Sequence, residues 1–139
     1  MSYTSRAAIE AIIPSEFIAE ALDDDNDGAE DAGLFDKVLT QAELSVDAYL
    51  QGRYTTPISA PIPAVVSEAS RTFFCEMLHD RRGHHGESNP FTEKADGLRM
   101  LLGKIGSGML QLTAESQAAK PPVSVITQPS RVNSGNLLT

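Results

Sequence analysis

The sequence predicts an all-α protein, a small helical bundle of four to five helices with a proline-rich connection and an extended C-terminal arm. Three observations carry this. Apolar residues recur at three- and four-residue spacing in successive blocks up to residue 105, prolines and acidic or glycine-rich turns separate those blocks, and residues 113–139 lack the pattern altogether. A chain of 139 residues is expected to build one core. The partition is a helical domain over residues 1–112 and an arm over 113–139.

Thr4 or Ser5 caps a short first helix in which Ala8, Ile9, Ile12 and Ile13 share a face, and Pro14 ends it. Pro14 and Ser15 open a second, carrying Phe17, Ile18, Ala21 and Leu22 up to an acidic loop. From Leu34 onward Phe35, Val38, Leu39, Ala42, Val46, Tyr49 and Leu50 give a helix of about five turns with one apolar face, stopping near Gly52.

Pro57, Pro61 and Pro63 exclude helix from Thr55 to Pro63 and make that stretch a stiff, extended spacer. Pro63 suits the first turn of the next helix, whose stripe of Val66, Ala69, Phe73 and Met77, widened by Val65, Phe74 and Leu78, is the expected centre of the core. Arg81 to Asn89 reads as an exposed loop, and Pro90 restarts helix. Phe91, Ala95, Leu98, Leu102 and Ile105 then run to a left-handed turn expected at Gly106. Gly97 and Gly103 each cost that helix about 1 kcal/mol relative to Ala, and a glycine in it can mark close helix approach. Met109, Leu110 and Leu112 are expected to fold back on the bundle.

The net charge is −8, with 19 acidic and 11 basic residues, which argues against a general nucleic-acid binder that must neutralise phosphates. Nine of the acids fall in residues 1–33 against one base, Arg6. No apolar run approaches the ~20 residues that span a bilayer, and the N-terminus lacks the pattern of a signal peptide. A soluble protein made in the cytosol, with no membrane partner, is the expectation. The single cysteine, Cys75, excludes an intrachain disulfide framework and an all-cysteine zinc site.

Three constellations could carry chemistry. Asp23, Asp25, Asp27 and Gly28 match positions 1, 3, 5 and 6 of an EF-hand loop, with Asp31 at 9. Leu34 occupies the twelfth position, where a bidentate Glu belongs, so a Ca²⁺ site here is weak; a solvated acidic turn, or one facing a basic neighbour, is the rival. Cys75, His79, His84 and His85 are residues of the kind that bind Zn²⁺, but a buried thiol beside an exposed histidine loop accounts for them better. The same helix face offers no cleft or oxyanion donors for a Cys/His nucleophile, so no enzyme activity is expected. In the arm, Val123, Val125, Ile126 and Thr127 read as a short strand that must find a partner in another molecule or stay without fixed structure.

The run Asp47-Ala48-Tyr49-Leu50-Gln51-Gly52-Arg53-Tyr54, followed by Pro57, Pro61 and Pro63 and the Phe73-Phe74 helix, resembles a small virion protein family of Mu-like phages. The acidic turn at Asp23 to Gly28 and the end at Ile105 to Leu112 fit the same family, so the resemblance covers roughly residues 3–112. It implies a head-completion, or head-to-tail connector, adaptor: a ring of about twelve copies with heterologous, closing contacts, bound to the portal protein and offering a docking surface to a tail-proximal stopper or tail-completion protein. DNA would pass through the lumen without specific binding, and the protein would sit in the virion neck.

In such a ring the negative Asp23 to Asp31 turn and the positive cluster of Arg81, Arg82, His84 and His85 are candidate interfaces, one meeting its opposite on a neighbouring subunit or the portal, with two solvated loops as the rival. Arg53 and Tyr54 are expected at a hinge, Arg53 held by Asp47 or a carbonyl and Tyr54 over the proline link. The competing expectation is a cytosolic helical regulatory protein using the Asp23–Asp31 loop for Ca²⁺. No other cofactor is expected.

Overall fold

A computed structural model describes residues 2–112, and over them the chain is helical, with no strand among the described residues. The helices are α1 (Arg6–Glu10), α2 (Ser15–Ala21), α3 (Leu34–Leu50), α4 (Ala64–Arg81) and α5 (Thr92–Ser107), with a 3₁₀ turn at Gly86–Ser88. The three long helices α3, α4 and α5 pack against one another in every pairing, and α1 and α2 lie against α4. No helix of the described residues is long and apolar enough to cross a membrane.

Local chemistry sets the boundaries. Ser5 caps α1, its Oγ accepting the Ala8 N–H at 3.2 Å. Pro14 and Pro63 precede α2 and α4 as extended residues, with ψ of 145° and 146°, so Pro63 stands just before the first turn expected for it. Gly33 leads into α3 at a φ of +77°, which a residue with a side chain rarely adopts.

The C-terminus of α5 corrects the sequence expectation. The left-handed turn falls at Gly108 (φ +92°), not at Gly106, and there the N–H groups of Met109 and Leu110 return to the Lys104 carbonyl at 2.9 and 3.2 Å. Gly106 lies inside the helix and serves packing: a Cβ on it would stand 1.9 Å from the Tyr49 carbonyl oxygen, so α3 and α5 touch backbone to backbone. Gly97 and Gly103 face open space.

The core holds the expected stripe of Val66, Ala69, Phe73, Phe74 and Leu78, together with Val46, Leu50, Leu102 and Ile105. It also holds Tyr3, Tyr54, Ile58 and Leu112, which lie outside every helix. The proline stretch is therefore more than a spacer. Ile58 is fully buried, and the link contains two cis peptides, Thr56–Pro57 and Ala60–Pro61. Tyr49, expected on the apolar face of α3, is exposed, and Met77 is half-buried.

Candidate functional site

The acidic loop between α2 and α3 forms a tight reversal, with Asn26 and Gly28 at φ of +59° and +87°. It brings carboxylate oxygens of Asp23, Asp25, Asp27 and Asp31 within 4.8 Å of one another. Backbone donors point into these groups. Asp23 accepts the N–H of Asp27 (3.0 Å) and of Gly28 (2.9 Å), Asp27 that of Ala29 (2.9 Å), and Asp31 that of Asp24 (3.0 Å). A hydrogen bond to Asp23, added to desolvation and the charges of Asp27 and Asp31, pushes the Asp25 carboxyl up to about 6. Desolvation pulls Asp23 upward too, but the N–H bonds from Gly28 and Asp27 and the side-chain hydrogen bonds with Asp25 and Asp27 together hold this carboxyl below the ordinary range.

The four carboxylates form an all-oxygen donor set suited to Ca²⁺. The twelfth-position residue, Leu34, instead begins α3 and packs against the core, and Asp36 stands outside the group. The loop's other carboxylates, Asp24 and Glu30, pair with Arg81 and Arg6.

The basic cluster meets the acidic turn within the same chain. Arg81 donates through Nε to the Ala21 carbonyl at 2.9 Å, satisfying the end of α2, and its guanidinium pairs with Asp24. Arg82 reaches Glu20 at 3.4 Å, and His85 stands 3.4 Å from Asp80. Within the described residues α2 and its loop lie against the C-terminal end of α4, so Arg81 and Arg82 have partners in the same chain.

His79 turns Nδ1 to the Cys75 carbonyl at 3.0 Å and stacks on Phe17 with ring centroids 4.4 Å apart, while the His84 ring lies 6.0 Å from it. Cys75 is fully buried, and burial pushes its thiol up to about 12. Cys75, His79, His84 and His85 do not converge on one point; among the described residues only the four aspartates do.

Arg53 and Tyr54 follow directly on the end of α3. Tyr54 is buried, and its hydroxyl accepts the Leu112 N–H at 3.2 Å, locking the fold-back after α5 to the end of α3. Arg53 lies along Gly108, where a Cβ would come 2.5 Å from Nη1. Asp47 accepts from Tyr3, not from Arg53. Val123, Val125, Ile126 and Thr127 lie outside the described residues.

Two features went unread in the sequence. Glu76 is buried on α4 and paired with Arg99, whose guanidinium also lies 5.0 Å from the centre of the Phe73 ring. Asn89 is buried too, donating to the Glu76 carbonyl (3.0 Å) and Asp80 (2.9 Å) and accepting the Phe91 N–H (3.0 Å) at the start of α5. A carboxylate three residues from Phe73 on the core stripe was the available signal for the first.

Exposed apolar side chains stand on α3 (Leu44, Tyr49), on α5 (Met100) and just after it (Met109, Leu110). A family model described as Bacteriophage Mu, Gp36 matches residues 3–127, fifteen residues further than the resemblance read from the sequence. No curated protein matches the chain.

Proposed function

Because the chain belongs to the Bacteriophage Mu, Gp36 family, we propose that it is a structural protein of the phage neck, a head-to-tail connector whose copies form a ring of about twelve under the portal by one repeated, closing contact. The family match over residues 3–127 is the observation that carries this. The ring seals the filled head, gives the tail-proximal stopper or tail-completion protein its docking surface, and lets DNA pass.

Three properties of the molecule support the role. Its described basic side chains on α4 are tied to acids of the same chain, so the acidic surface does not retain phosphate in a lumen. The three long helices are clamped together by a backbone contact at Gly106 and by the tyrosine anchors, which suits a rigid ring element. A structural role also accords with the Cys75 thiol, which is buried, and with His79, whose Nδ1 faces the Cys75 carbonyl.

Native mass measurement of the purified chain with its portal protein tests the assignment. The expected result is a discrete set of copies added to each portal ring; a portal mass unchanged at saturating chain would refute it. The four convergent aspartates favour one second reading, a Ca²⁺-binding regulatory protein acting free of the particle. Such a protein requires Ca²⁺ to alter its folded state, and needs no portal.

A further inference from the structure

A groove of about 570 Å³ runs between α4 and α5, walled by Ala64, Val65, Leu98 and Leu101, with Glu68 and Arg71 at its rim. That is enough room for several apolar side chains. We propose that this groove is the seat of the chain's own C-terminal segment, Val123 to Thr127.

The described chain ends at Leu112, which is buried and bonded to Tyr54, so the continuation starts from a fixed point on the bundle. Eleven residues carry it from Leu112 to Val123, a reach of up to about 36 Å, against a radius of gyration of about 13 Å for a body of this size. The family match continues through that stretch and ends at Thr127, where the apolar segment itself ends. Val123, Val125 and Ile126 are apolar, and the described fold offers no strand with which an extended segment could pair. Burial against helix faces is the way this chain itself offers to remove those side chains from water. The inference goes beyond the connector assignment and does not depend on it.

The test uses the full chain with Gln128→Cys carrying a nitroxide spin label. Cys75 is fully buried, so the label goes to position 128. Methyl resonances of Val65, Leu98 and Leu101 are expected to broaden several-fold more than those of Ile12 and Leu44, exposed residues elsewhere on the surface. The difference is expected to vanish when V123S, V125S and I126S are added. Equal broadening at all five residues, or groove broadening that survives the three substitutions, would overturn the proposal.

Discussion

Tyr3 and Asp47 are joined through the phenol hydroxyl, which donates to Asp47 Oδ1 on α3 while accepting the Ile58 N–H at 2.8 Å. The same residue's N–H donates to Glu43 at 2.6 Å and its carbonyl accepts from Ser67 Oγ at 2.7 Å. One N-terminal side chain and its backbone thus fasten α3, the proline link and α4 together. Y3F leaves the buried Ile58 N–H without an acceptor and is expected to cost about 1–3 kcal/mol in urea unfolding, with the m-value unchanged. A smaller loss would mean that the hydroxyl is not the fastener.

Gly106 and Gly103 are predicted to respond with opposite sign. A methyl at Gly106 drives into the Tyr49 carbonyl, so G106A must part α3 from α5 and costs about 3 kcal/mol or more. At Gly103 nothing lies within 4 Å, and G103A gains helix propensity worth about 0.5–1 kcal/mol. Thermal unfolding of the two variants side by side checks both.

The ion pairs differ in weight according to burial. R99M strands the buried Glu76 carboxylate and is expected to cost about 2 kcal/mol, less than a fully enclosed pair because Arg99 is 36% exposed. R82M removes a 3.4 Å surface pair with Glu20 and should change stability by less than about 0.5 kcal/mol. Only the second effect is expected to fade with added salt.

Asp25 supplies a pH signature. Its folded value of about 6 exceeds the ordinary 3.8, so between those values the folded state holds the proton more tightly and stability falls as pH rises. D25N removes that penalty: it should stabilise the protein near pH 7 and give no gain below about pH 4. Glu68 behaves oppositely. Lys94 and Arg71 hold it below the usual range, so its contribution is present at neutral pH and is lost as pH falls through the lowered value. Urea midpoints of wild type, D25N and E68Q across acid pH separate the two.

The long helices were legible because their apolar spacing is regular: Phe35 to Leu50, Val66 to Leu78 and Ala95 to Ile105 bury as the periodicity requires, except that Tyr49 is exposed and Met77 and Leu98 are only partly buried. What escaped has no period. Tyr3, Tyr54, Ile58 and Leu112 act from loops through long-range hydrogen bonds, and spacing carries no record of a partner forty or more residues away. Gly106 could be seen as a glycine but not as a contact, since its role exists only once α3 lies across it. The acidic turn and the arginine cluster were both visible as charge. That Arg81 would meet Asp24 depended on how α2 docks against α4.

Imaging of the neck in purified phage particles tests the connector assignment most directly. A ring of this helical fold between the portal and the tail, together with filled but tailless heads when the gene is deleted, is the expected result. Tailed, DNA-filled particles that lack the protein and form normally without it would contradict the assignment.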